Sequence, residues 1–129
     1  MAAAIRSFRD LDVYKASVEQ AFAIFQLTKQ FPSEERYSLT DQLRRSSRAV
    51  GAMIAEAWAK RRYPAAFVSK LTEALAEAME TQGWLDHSLR CAYIAPADFR
   101  RQDAQWQSIG AMINRMIQRA DDFCLPREE

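Results

Sequence analysis

Glycine and proline are scarce in this chain, at three and four residues out of 129. An all-β domain needs many tight turns, and those turns draw heavily on these two residues. So few of them exclude an all-β fold. Histidine occurs once, as His87, and no Glu-x-x-His pair exists. A di-metal carboxylate centre in a helical bundle takes such a pair from each of two helices, so that class of site has no sequence support. No glycine-rich phosphate loop is present, and Ser46 and Ser47 have no nearby histidine to activate them. The two cysteines, Cys91 and Cys124, form no CxxC pair. Without a secretory signal they read as reduced, inert thiols of a cytoplasmic protein. The N-terminal MAAAIRSFRDL reaches charged residues too soon for a signal peptide or a membrane span.

Helix-forming residues fill the space left by these absences. Apolar residues make up 49% and charged residues 27%, a globular balance. A single domain over 1–129 is the simplest division at this length. It should bury roughly two-thirds of the surface its unfolded chain exposes. The net charge of +1 gives no global attraction to nucleic acid or membrane. The charge is unevenly spread, however. The segment 36–62 carries seven basic residues against two acidic ones, while Glu73, Glu77, Glu80 and Asp86 hold much of the compensating charge.

Apolar periodicity predicts four helices, over about 11–31, 36–61, 64–93 and 97–123. On the first, Leu11, Tyr14, Val18, Phe22 and Phe25 share a face, with Val13, Ile24, Leu27 and Phe31 on a stripe beside it. Pro32 stops that helix. Ser38 with Asp41 resembles a capping box for the second helix, and Ser33 before Glu34 and Glu35 is a rival cap. Leu39, Leu43, Ser46, Val50, Met53 and Ala57 follow its inner face. Gly51 costs about 1 kcal/mol against alanine there, which suggests close approach by a neighbouring helix. Pro64 and Pro96 suit the first turns of the third and fourth helices. The third helix buries Phe67 or Val68, Leu71, Ala78, Gln82 and Leu85. The fourth buries Phe99, Trp106, Ile109, Ile113 and Phe123. Short links between helices predict an all-α, antiparallel up-down-up-down four-helix bundle. Val13, Ile24, Leu27, Trp58 and Trp84 exceed what an inner stripe needs, and surplus apolar surface suggests association.

Two basic clusters stand out: Arg44, Arg45 and Arg48, then Lys60, Arg61 and Arg62. Guanidinium groups one turn apart can grip phosphates bidentately. The same side chains can instead pair with Glu73, Glu77 or Glu80 of an adjacent helix or subunit. Cations at a helix C-terminus also favour its dipole, which alone suits the second cluster. Glu56 lies among small residues and is expected in an interhelical ion pair with an arginine. No catalytic residue, metal ligand or cofactor site is expected.

One run of residues carries a family resemblance. Phe8-x-x-Leu11-x-Val13-Tyr14, Leu27-Thr28-x-x-Phe31-Pro32 and Leu39-Thr40-x-Gln42-Leu43-Arg44-Arg45 resemble the proteins encoded in intervening sequences of bacterial 23S ribosomal RNA genes. Accessory proteins of diversity-generating retroelements are related to them. The likeness continues through Ile54-Ala55-Glu56 and through Leu71, Ala74, Glu80, Leu85 and Tyr93. The family's Asn-Ile-Ala-Glu-Gly stands here as Met53-Ile54-Ala55-Glu56-Ala57. The resemblance implies a small cytoplasmic four-helix bundle, non-enzymatic and homopentameric, without cofactor or membrane anchor. It also implies partners among RNA, DNA or a nucleic-acid enzyme, reached through basic surfaces. The opposing expectation is a structural scaffold whose arginines form intersubunit ion pairs.

Overall fold

A computed structural model describes residues 4–126, and every regular element among them is helical. Four long helices form the body: α1 (Asp12–Thr28), α2 (Leu39–Ala59), α3 (Pro64–Arg90) and α4 (Pro96–Gln118). A short α5 (Ala120–Phe123) follows, and 3-10 turns occupy Phe8–Asp10 and Ser33–Glu35. Around the bundle, α1 packs on α2, α2 on α3, α3 on α4, and α4 on α1. Specific pairs fix the register. Thr28 meets Arg44 and Ser17 meets Gly51; Ser46 meets Thr81 and Glu56 meets Lys70; Leu75 meets Gly110 and Gln82 meets Asp103. In each set the numbers rise along one helix as they fall along the other.

The helix ends differ from expectation for identifiable reasons. The first helix stops at Thr28, not 31, because the chain tightens there: the Phe31 amide donates to the Thr28 carbonyl at 3.1 Å. Neither Ser38 nor Ser33 caps α2. Ser38 has φ −123° and ψ −106°, outside the extended conformation from which a cap side chain reaches the first-turn amides. A true capping box forms upstream instead, where Ser7 and Asp10 bracket the first 3-10 turn. The backbone amides of Arg6 and Ser7 donate to Asp10 and hold its carboxyl below the usual carboxylate range.

The third helix ends at Arg90, short of the expected 93. The Tyr93 amide donates to the Ser88 carbonyl and the Ala92 amide to the Leu89 carbonyl, each at 2.9 Å, which is a Schellman closure. Ala92 occupies its left-handed position at φ 61°, where glycine is usual. Tyr93 then packs its ring at a tilt against buried Phe31, with ring centroids 5.4 Å apart, and its hydroxyl donates to Glu35 at 3.0 Å. That hydrogen bond leads the causes pushing the phenol up to about 12. The predicted fourth helix breaks at Arg119 (φ −109°, ψ 30°). The break folds Phe123 onto Phe67, and the Leu125 amide reaches the Arg61 carbonyl at 3.0 Å.

The largest departure concerns α1. Its buried face is Val13, Ser17, Ala21, Ile24 and Thr28. The Val18 and Phe22 stripe, expected inside, is 51% and 59% exposed. Val13 and Ile24, expected to be surplus, are core. The cause is close packing: a Cβ on Gly51 would meet Ser17 Oγ at 3.1 Å, so α2 accepts only small side chains from α1 there. Ser17 and Thr28 tolerate burial because their hydroxyls donate to carbonyls of their own helix, at 2.7 and 2.8 Å. The other inner faces follow the sequence pattern, with Leu43, Val50, Phe67, Leu71, Leu85, Trp106, Ile109 and Ile113 fully enclosed. Ile54 takes the core position expected of Met53. Gln82 lies at the α3–α4 seam and donates to Asp103 and Gln107, outside the apolar core. Trp58 and Trp84 are half-buried against the core, not free surface.

Candidate functional site

The first basic cluster does not act as one patch. Arg44 is half-buried: its Nε donates to Thr28 Oγ1 at 2.8 Å and its guanidinium lies 4.7 Å from the Phe25 ring centroid. Arg45 is exposed and reaches Asp41 one turn back, at 3.7 Å, a contact of small energetic weight in water. Arg48 is exposed and sits 5.5 Å from the same Phe25 ring. Lys29, from the end of α1, stands 4.9 Å from that ring. Three cations from two helices thus surround one aromatic side chain, each within cation–π range. Sequence reasoning missed Lys29 and Phe25 as members. Their spacing of four places them on one face of α1, but only the α1–α2 register brings them to the arginines.

The second cluster is also divided. Arg61 turns back on its own helix end, with Nε donating to the Trp58 carbonyl at 2.8 Å and the guanidinium 3.6 Å over the Trp58 ring. Lys60 and Arg62 are exposed. Glu56 is also exposed and pairs with Lys70 of α3 at 3.3 Å, not with an arginine. Lys70 meets Glu73 as well, at 2.7 Å, and these two hydrogen bonds, Glu73 first, raise the pKa of its ammonium. The expected buried Glu–Arg pair is therefore a surface Lys–Glu pair: Ser46 and Thr81 meet inside the α2–α3 seam, and Glu56 meets Lys70 at its exposed edge.

Beside the Phe25 cluster runs a groove of about 570 Å³ between α1 and α2. Tyr14, Val18, Phe22 and Phe25 line one wall, and Arg48, Gly51 and Ala52 the other. It exists because α1 turns its small residues inward and leaves its larger apolar ones outside. The surface is mainly apolar through its length and cationic at the Arg48 end. On α3, Glu77 and Glu80 lie close together. Burial, then the charge of Glu80, raises the Glu77 pKa, with Arg45 pulling the other way. Arg45 of α2 and Glu77 of α3 are thus near neighbours within one chain.

Among the described residues no three histidine, cysteine or acidic side chains converge as metal ligands. Cys91 and Cys124 are free thiols, and burial pushes the Cys124 thiol up. No helix among these residues is long and apolar enough to cross a membrane.

The fold and the sequence both match known proteins. A crystal structure from Bacteroides thetaiotaomicron, of a protein of unknown function from the S23 ribosomal protein family, superposes with a TM-score of 0.74. The two chains are 31% identical, over 82% of this chain and 95% of that one. Comparison with curated proteins gives no match. The family model described as "23S rRNA-intervening sequence protein" matches residues 9–115, from the first 3-10 turn to the last turn of α4. By that match this chain belongs to the 23S rRNA-intervening sequence protein family.

Proposed function

We propose that this protein is a non-enzymatic, cytoplasmic scaffold that works as a homo-oligomer, with the α1–α2 groove as its association surface and a second copy of the chain as the occupant. The observation that carries this reading is the exposed Val18–Phe22 stripe along a groove with one cationic end. Contiguous exposed apolar surface of this kind marks interaction sites. The disposition of the arginines supports the same reading. Arg44 and Arg61 are held by contacts within the chain, which leaves Arg48 as a cation at the groove for a carboxylate of another subunit. Five copies in a ring is the assembly the family resemblance implies, and a ring needs two different complementary patches on each subunit. Phe22→Glu tests the reading. The side chain is exposed in the single chain, so folding is retained while association is lost. A variant that assembles like the native protein would overturn it.

A second reading has its own observation. Lys29, Arg44 and Arg48 converge on Phe25, and Arg45, Lys60 and Arg62 are exposed, an arrangement suited to phosphates of RNA or DNA. Affinity on a duplex would then fall with salt, at about −0.9 in log–log slope per phosphate contacted. Arg48→Glu separates the two readings: loss of nucleic-acid binding with assembly intact supports the second, and loss of assembly supports the first.

A further inference from the structure

Of the three glycines, two are explained within the chain. Gly51 admits Ser17, and a Cβ on Gly110 would lie 3.4 Å from Leu75 Cδ1. Gly83 is different. It lies inside α3, where glycine costs about 1 kcal/mol against alanine, yet a Cβ built on it meets nothing within 4 Å. The fold of the single chain does not call for this glycine. Its surroundings are informative. Ala76 is exposed two turns before it, and Met79 projects one turn before it at 59% exposure. Spacings of three and four put Ala76, Met79 and Gly83 on one face of α3. Glu73 and Glu80 are exposed beside that face. One Glu73 oxygen takes Lys70, while Glu80 accepts from Trp84 Nε1 at 3.2 Å and shares a hydrogen bond with Glu77.

This strip complements the α1–α2 groove. The strip is narrow, apolar at its centre and acidic at its edges. The groove is concave, apolar at its centre and basic at its end, where Lys29 and Arg48 stand. Helices α1 and α3 lie diagonally across the bundle without touching, so a chain cannot fill its own groove with its own strip. We infer that the α3 strip of one copy docks in the α1–α2 groove of the next. Met79 enters between Val18 and Phe22, Gly83 lets the two backbones approach, and Glu73 and Glu80 face Arg48 and Lys29. Each such contact leaves one groove and one strip unfilled at the ends, so the association is head-to-tail and either closes into a ring or extends. This rests on the proposed self-association, and deepens it by naming the second surface.

Cross-linking between two single-cysteine proteins tests it. In a Cys91→Ser/Cys124→Ser background, Ala52→Cys marks the groove and Ala76→Cys marks the strip; both positions are exposed. A short bismaleimide added to the mixed proteins should link groove to strip and give little groove-to-groove or strip-to-strip product. Gly83→Leu provides an independent arm: the side chain has open space in the single chain, so helix content and monomer melting are retained while the association constant falls at least tenfold. An oligomeric mass with groove-to-groove product, or with undiminished assembly of Gly83→Leu, overturns the inference and leaves self-association standing. A monomeric mass with no cross-link removes both.

Discussion

Gly51→Ala should destabilise this protein, although the same exchange favours a helix intrinsically. The added methyl gains about 1 kcal/mol of helix propensity. It also arrives 3.1 Å from Ser17 Oγ, closer than the two atoms can comfortably sit. Ser17 is buried, and its hydroxyl donates to the Tyr14 carbonyl at 2.7 Å. Ser17 must give by a few tenths of an ångström, which strains that bond and the packing around it, at about 1–3 kcal/mol. The net expectation is a loss of about 1 kcal/mol, or about 3–5 °C in melting temperature for a chain of this size. Ser17→Ala removes the obstacle, and the next atom met, Val18 Cγ2, lies at an ordinary 3.7 Å. In that background Gly51→Ala should stabilise by about 1 kcal/mol. The two substitutions are therefore coupled by about 2 kcal/mol, measurable as a double-mutant cycle in urea. All four proteins must be compared at one concentration, because assembly adds to apparent stability. If Gly51→Ala stabilises equally with Ser17 present or absent, the close α1–α2 approach is wrong, and with it the reason the Val18–Phe22 stripe lies outside.

Three further outcomes follow from individual contacts. Ala92→Gly relieves a left-handed alanine at the end of α3 and should raise stability by about 1 kcal/mol in denaturant melts; no gain would mean that the Schellman closure does not form. Trp106→Ala empties the most voluminous enclosed site and should cost about 3–5 kcal/mol, so a loss under about 1 kcal/mol would place Trp106 outside the core. Glu77 is raised above its ordinary 4.5 by burial and then by Glu80, so the folded state disfavours its charged form. Its contribution is most favourable below pH 4.5 and is lost as pH rises through the higher folded-state value. Glu77→Gln should accordingly gain on the native protein on going from acid to neutral pH, and a stability difference that is flat with pH would contradict the assigned cause.

Legibility in the sequence varied by element. On α2 and α4 large apolar residues recur at helical spacing on a single side, and Leu43, Val50, Trp106, Ile109 and Ile113 could be placed in the core directly. Gly51 could be read as a close approach because a mid-helix glycine has a cost that demands a reason. On α1 the same reasoning chose the wrong face: periodicity weighs size, and the inner face includes small Ser17, Ala21 and Thr28, of which Ser17 fits against Gly51 and Thr28 against Arg44 only through tertiary register. The break at Arg119 escaped notice because no proline or glycine marks it; it follows from Phe123 docking on Phe67. The basic clusters were visible as charge, but charge alone does not distinguish Arg44, stacked on Phe25 and bonded to Thr28, from exposed Arg45. Lys29 and Phe25 joined the site only through tertiary register, which one helix's spacing cannot supply.

The central claim is that the groove lined by Val18 and Phe22 holds these chains together. Light scattering on the pure protein at micromolar concentration tests it most directly, with Phe22→Glu measured alongside. The prediction is a native mass several times the 14.8 kDa of one chain, fivefold for the proposed ring, and a folded Phe22→Glu variant at the single-chain mass. A native protein that scatters as one chain, or a variant that assembles unchanged, contradicts it.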